Sequence, residues 1–271
     1  MTVAHALAAA QALGLSRLDA ALLLGHHLHR PREWLIAHPT EAVGDQALAA
    51  FDADCRRRAD GVPVAYLIGR REFMNLELEV TPAVLVPRPE TETLAQWAIE
   101  RLRALPSSRP RVVDLGTGSG ALALAIATAC PHAEMTATDC SAAALAVASA
   151  NAARLKLSTH FAEGDWWSAV GDARFDLAVC NPPYVAVGDP HLAALQHEPR
   201  GALVAGAAGL DALTRVIERA AGHLSGWLLV EHGWNQADAV TGLLSSAGFR
   251  RIETRPDLSG LPRCSGGQTA S

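Results

Sequence analysis

From Arg111 onward the chain alternates short apolar runs with helical segments, and this alternation restricts the fold more than any other feature. Arg111–Leu115 reads as a strand, residues 116–120 (Gly-Thr-Gly-Ser-Gly) as a turn and Ala121–Ala129 as a helix. A strand over 133–138, a helix over 141–155, a strand over 158–163 and the strand Phe175–Cys180 follow. Helices over 210–221 and 235–247 then flank a strand at 227–231, and 249–254 and the final residues read as two more strands. Parallel strands need helical crossovers, so the pattern implies an α/β class with a doubly wound, mostly parallel sheet. Such sheets hold ligands at the carboxyl ends of their strands.

The first 60 residues show helical periodicity instead. Thr2 and Ser16 are placed to cap two helices, Pro31 suits the first turn of a third, and a fourth runs over 45–60 before Gly61. Leu18, Ala21, Leu22 and Leu24 form the expected apolar stripe of the second. His26 and His29 share a helix face, but no carboxylate or cysteine lies near them in sequence, so solvent-facing histidines are expected rather than a metal site. Between 61 and 92 the pattern becomes period two. Phe73, Leu76, Leu78 and Val80, then Val84, Leu85 and Val86, separated by Thr81-Pro82, predict a β-hairpin. The expected division is a helical domain over 1–62, a hairpin linker over 63–92 and an α/β domain over 93–271.

Hydrophobic residues make up 49% and charged residues 19%, enough apolar material for a packed core. A net charge of −5 supplies no general attraction to nucleic acid, and none is expected as a direct partner. The five cysteines are scattered without a CxxC pair, as in a reducing compartment. No run is long and apolar enough to cross a bilayer, and no leader pattern opens the chain. A cytoplasmic monomer is the expectation.

The chemistry concentrates where Phe175–Cys180 runs into Asn181-Pro182-Pro183-Tyr184. Asn181 carries a carbonyl acceptor, Pro182 has a free backbone carbonyl and no N–H, and Tyr184 presents an aromatic face. Two acceptors beside a flat surface suit a planar NH2 group, which they would hold with its nitrogen aimed into the crevice. Gly116, Gly118 and Gly120 allow a sharp bend and close approach of a ligand, and the helix behind them favours an anionic group. Asp139 ends the next strand, where a carboxylate accepts ribose hydroxyls. Asp165-Trp166-Trp167 offers an aromatic wall for a base, and Asp114 a carboxylate for an ammonium. The turn also satisfies the alanine form of the dinucleotide fingerprint, so these residues alone leave both S-adenosylmethionine and a nicotinamide dinucleotide open.

Glycine turn, Asp139 and Asn-Pro-Pro-Tyr, in this order, resemble an S-adenosylmethionine-dependent class I methyltransferase acting on an NH2 nitrogen. Within that group the chain is similar to the protein-(glutamine-N5) methyltransferases of peptide-chain release factors, the HemK/PrmC family. The similarity runs from the helical N-terminus through Tyr66-Leu67-Ile68-Gly69, Arg71-Glu72-Phe73 and Pro87-Arg88-Pro89-Glu90-Thr91-Glu92 to Glu231-His232-Gly233-Trp234. The Pro-Arg-Pro-Glu-Thr-Glu loop is its specific part. The resemblance implies that Gly116, Thr117, Gly118, Ser119 and Gly120 line the methionine end of S-adenosylmethionine, Asp139 holds its ribose and Trp166 flanks its adenine. It further implies that Asn181, which also borders the cofactor, and Pro182 take the hydrogens of the target amide, while Pro183 and Tyr184 shape its slot. The implied activity is N5-methylation of the glutamine in the Gly-Gly-Gln loop of class I release factors. Glutamine methylation of a ribosomal protein and amino-nitrogen methylation of a nucleic-acid base are the rivals. The helical domain is expected to grip the release factor's body. Met74, where the family usually has an aromatic residue, and Ala207-Ala208-Gly209, in place of a more polar turn, are departures. Residues 185–208 have no clear period and read as a substrate lid. The chain's own Gly266-Gly267-Gln268 is expected to be a coincidence rather than a substrate.

Overall fold

The computed structural model describes residues 1–269, so the last two residues of the expected 93–271 domain lie outside it. The chain forms two compact units. Unit one holds residues 1–70 with a short segment, 193–197, and contains α1 (Val3–Ala12), α2 (Arg17–Leu28), α3 (Arg32–Ala37), α4 (Asp45–Ala59) and α5 (Val64–Ile68). Thr2 and Ser16 do cap α1 and α2, their hydroxyls accepting the N–H groups of His5 and Asp19. The apolar stripe of α2 is rotated from the expected one. Ala20, Ala21, Leu23 and Leu24 are buried, whereas Leu18 and Leu22 face solvent. A helix with leucines at 18, 22, 23 and 24 has apolar residues on every side, and only packing against α1 and α4 selects the inner one. Of its histidines, His27 is engaged by a residue distant in sequence, its Nε2 lying 3.0 Å from Asp54 Oδ2 on α4, while His29 is exposed and His26 half-buried. Two arginines of α4 are paired as well, Arg57 with Asp54 and Arg58 with Asp19.

A hairpin of β1 (Arg70–Phe73) and β2 (Leu76–Glu79) follows, and its turn is Met74-Asn75 rather than Thr81-Pro82. Both turn residues are left-handed, at φ +47° and +63°, the conformation that a two-residue hairpin turn requires. Met74, the departure noted above, thus occupies the turn. Val84, Leu85 and Val86 form no strand, since prolines at 82, 87 and 89 deny them ladder pairing.

Unit two is built on a seven-stranded sheet. After α6 (Thr91–Ala104) come β3 (Arg111–Leu115), α7 (Ala121–Ala129), β4 (Glu134–Asp139), α8 (Ala142–Leu155), β5 (His160–Glu163) and β6 (Phe175–Cys180). Then follow α9 (Asp211–Arg219), β7 (Leu224–Glu231), α10 (Ala237–Ser246), β8 (Arg250–Pro256) and β9 (Pro262–Gln268). The order across the sheet is β5-β4-β3-β6-β7-β9-β8, with β5 to β7 parallel and the last two strands antiparallel. Strand order reverses between β3 and β6, which opens a crevice at their carboxyl ends. One face packs Leu94, Trp97, Ala98, Leu122 and Ile126 against the sheet, the other Trp167, Leu213, Val216, Val240 and Leu244.

Gly266-Gly267-Gln268 is interior backbone of β9, paired with Leu229, Leu228 and Trp227 of β7. A Cβ on Gly266 would sit 2.5 Å from the Leu229 side chain and 2.6 Å from the Leu228 carbonyl. The tripeptide is therefore built into the sheet and is not a presented loop. Gly266→Ala is expected to destabilise the protein by about 1–3 kcal/mol through overpacking, read as a lower midpoint in urea denaturation.

Candidate active site

The glycine turn is held from beneath. Asp114, at the end of β3, is fully buried, and its Oδ2 accepts the Thr117 hydroxyl at 2.7 Å and the Ala123 N–H at 3.2 Å. Burial raises its pKa to about 7 despite those donors. Asp114 thus fixes the turn through Oδ2, while its buried Oδ1 has no partner among the described residues. Gly116 and Gly118 adopt φ of +76° and +56°. Any Cβ on Gly116 would approach the Trp166 ring to 3.1 Å, so glycine here permits both the bend and the indole lying across it. Asp139 is pinned with Oδ2 on the Gly118 N–H and Oδ1 on the Ser141 N–H, both at 2.9 Å. Asn151 on α8 supports the turn from the side, donating to the carbonyls of Ser119 and Glu79.

Above the turn lies a cavity of about 240 Å³. Gly116, Thr117, Gly118, Ser119, Asp139, Trp166, Asn181 and Pro183 all line it, so most of the residues singled out in the sequence meet at one place. Gly120, Pro182 and Tyr184 stand outside that wall. Gly120 begins α7, where a Cβ would meet Leu124 at 3.0 Å and Ala148 at 3.3 Å. Trp167 also turns away, stacked on His223 with its indole N–H on the Val216 carbonyl.

Asn181 Nδ2 donates to Thr91 Oγ1 at 3.1 Å, and Tyr184 donates to Glu231 Oε1 at 3.2 Å. Asn181 Oδ1 and the Pro182 carbonyl have no donor among the described residues. Both acceptors follow the end of β6, on consecutive residues, and only Asn181 lines the cavity. Burial pushes the Tyr184 hydroxyl well up and the Glu231 carboxyl up to about 7.

Two further segments complete the wall. Val84, Leu85, Pro87 and Arg88 form one lip, and Pro199, Gly201 and Ala202, in the loop expected to act as a lid, form the other. Glu198 joins them, its carboxylate taking the Val86 N–H at 3.1 Å and the Arg88 guanidinium at 2.5 Å. Thr91, Glu198 and Glu231 carry no local sequence signal for these tasks, because each finds its partner far along the chain.

A left-handed glycine turn under an indole wall and a carboxylate at the end of β4 fit a nucleoside bearing a short charged tail. Comparison with known proteins decides which chemistry this serves. Residues 97–224 match the Methyltransferase small domain, and residues 2–69 the PrmC N-terminal domain. The chain is 49% identical to the release factor glutamine methyltransferase of Bordetella pertussis over 94% of its own length and 95% of that protein. Against the enzyme of the same name from Xylella fastidiosa the identity is 48%, over 97% of each chain. The chain belongs to the release factor glutamine methyltransferases. It is an S-adenosylmethionine-dependent methyltransferase, and the nicotinamide alternative is set aside. Solved structures agree on the fold. A Thermus thermophilus 16S rRNA N2 G1207 methyltransferase, with AdoMet and guanosine, matches at a TM-score of 0.55 and 21% identity, covering 74% of this chain and 50% of that one. A ribosomal protein L11 methylase from Lactobacillus delbrueckii matches at 0.50 and 23%, covering 66% and 79%. Among the described residues no helix is long and apolar enough to cross a membrane.

Proposed function

We propose that this methyltransferase modifies the N5 nitrogen of the glutamine in the Gly-Gly-Gln loop of class I release factors, with Asn181 and Pro182 holding the amide. The observation that carries the reading is Asn181, which lines the cavity and whose Oδ1 has no donor among the described residues, followed directly by Pro182, whose carbonyl has none either. A primary amide has two N–H donors, and satisfying both there fixes the nitrogen's position and direction. S-adenosylmethionine, when bound, supplies a methyl group on a positively charged sulfur that leaves readily. Gly116 to Ser119, Asp139 and Trp166 are assigned to hold it, and Pro183 to shape the slot between cofactor and amide.

The amide nitrogen is a weak nucleophile because its lone pair is delocalised into the carbonyl. Acceptors on both hydrogens favour loss of that planarity as positive charge grows on nitrogen, which is stabilisation directed at the transition state. The methylated nitrogen is strongly acidic and gives its proton to water, so no side-chain base is needed beside Asn181. Tyr184 backs the slot from outside the cavity wall, and the helical unit is assigned to recognition of the release factor's body.

The chain acts as a cytoplasmic monomer without direct nucleic-acid contact. Four buried free thiols and one exposed one suit a reducing compartment, and the acidic net charge gives no general attraction to nucleic acid. The test is transfer of labelled methyl from S-adenosylmethionine to an unmodified bacterial release factor, beside a copy whose Gly-Gly-Gln glutamine is alanine. Label on the first alone is expected. Label on both copies, or on neither while the cofactor binds, overturns the assignment and directs attention to ribosomal proteins and nucleic acids.

A further inference from the structure

The Gly233-Trp234 end of Glu-His-Gly-Trp and the Ala207-Ala208-Gly209 turn have no task in the reaction so far, and one side chain ties both to the loop of Tyr184. Gln236, at the start of α10, accepts the Gly233 N–H at its Oε1, 2.8 Å away, and its own N–H returns to the Gly233 carbonyl at 2.9 Å. Residues 233–236 are thereby closed into a turn. The Gln236 Nε2 reaches the carbonyls of Tyr184 and Ala208, both at 3.1 Å, and that of Gly209 at 3.4 Å. Its two hydrogens are shared among these three acceptors. Gly209 makes the close approach possible, since its φ is +71° and a Cβ there would overlap the Tyr184 carbonyl.

Trp234 sits inside that turn and is 59% exposed. Tryptophan is highly buried on average, yet here the backbone is fastened on both sides while the ring is left in solvent. Exposed apolar side chains continue on the neighbouring turn between β8 and β9, where Leu258 is 98% exposed and Leu261 is exposed as well. The Arg263 carbonyl, just beyond that turn, takes the His232 N–H at 2.9 Å, one residue before Gly233. Arg263 and Asp257 are largely buried and pair with each other at 3.2 Å. What the turn shows to solvent, residues 258–261, is therefore uncharged.

Tyr184, to which the turn is tied, follows Pro182 by two residues, a span of chain of at most about 7 Å. A glutamine whose amide is held at Asn181 and Pro182 keeps its own backbone, and that of its neighbours, outside the slot and beside these loops. We infer that Trp234 is a specificity-determining contact for the protein substrate, its exposed ring receiving the polypeptide next to the target glutamine. This rests on the reading that the acceptor is the glutamine of a Gly-Gly-Gln loop. The chemistry of the surface selects that occupant. Glycines carry no Cβ, so their backbone lies directly on a ring. The indole adds an N–H donor for a peptide carbonyl to its large apolar area, the combination that favours tryptophan at interfaces. An uncharged surface, in contrast, lacks the cations on which binding of a phosphate backbone depends.

The test uses full-length Trp234→Ala and Trp234→Phe with unmodified release factor and, for binding alone, a copy whose Gly-Gly-Gln glutamine is alanine. In Trp234→Ala the KM for release factor is expected to rise by about thirtyfold, the loss found at an aromatic anchor of an interface. The rate at saturating release factor and the calorimetric affinity for S-adenosylmethionine stay as in the parent, the pattern of a contact that binds ground state and transition state alike. Because the ring meets the polypeptide and not the amide, calorimetric binding of the alanine copy weakens by a similar factor. Trp234→Phe keeps a ring and most of the affinity. The exposure of the ring leaves the fold independent of it, so the thermal midpoint of Trp234→Ala is unchanged. A parental KM in Trp234→Ala overturns the inference, and so does a rise in KM accompanied by a lowered midpoint or weaker cofactor binding, which marks a structural role. Failure of the parent enzyme itself to methylate the release factor glutamine defeats the underlying reading instead.

Discussion

In an Asn181→Ala variant, kcat for methylation of the release factor is expected to fall by about a hundred- to a thousandfold, the cost of deleting one preorganised polar group aimed at developing charge. The cofactor should still bind, because the glycine turn and Asp139 keep their supports from Thr138, Asp114 and Ser141. The loss belongs in kcat because the hydrogen bond to Oδ1 strengthens as the amide nitrogen gains positive charge. Thr91 loses only the N–H at its oxygen, and the half-buried position of Asn181 lets water replace it. Stability should therefore change little. The check is steady-state kinetics with release factor, together with calorimetric titration of S-adenosylmethionine. A raised KM with unchanged kcat would make Asn181 a binding residue without a part in the chemical step.

The parts of the site that were legible in the sequence are those whose cause is local. Glycines at 116 and 118 announce a turn because φ values of +76° and +56° suit few other residues. Asn181 announces itself by position, at the end of an apolar strand that two prolines stop. Capping by Thr2 and Ser16 is local in the same sense, each serving a backbone N–H three residues on. What stayed hidden is long-range. The Met74-Asn75 turn lacks the glycine that would have marked it, and proline-rich residues 81–89 mimicked a strand by alternation alone. Trp166 and Trp167 are indistinguishable as letters, yet one lines the cavity and the other fills the core. Glu198 reaches its partner Arg88 across 110 residues, and Thr91 reaches Asn181 across 90. No window of sequence contains either pair.

Glu198 carries the second large effect, because one carboxylate fastens both lips of the cavity. Its side chain is nearly fully buried, whereas that of Arg88 is 32% exposed. Glu198→Ala lets the guanidinium turn to water, so the arginine itself loses little. The Val86 N–H has no such escape, since Val86 is buried, and an unpaired buried donor costs about 1–3 kcal/mol. Part of that cost is relieved by letting the Val84–Arg88 lip swing open, which moves four residues of the cavity wall. Weaker cofactor binding, by about tenfold for each 1.4 kcal/mol spent in closing the lip again, is the expected result. Glu198→Gln separates the two contacts, because its carbonyl oxygen still serves the Val86 N–H while the charge opposite Arg88 is gone. If the backbone contact dominates, the glutamine variant binds S-adenosylmethionine nearly as the parent does and the alanine variant does not. Equal loss in both would place the strength of the clasp in the ion pair, and parental affinity in both would remove the clasp from cofactor binding.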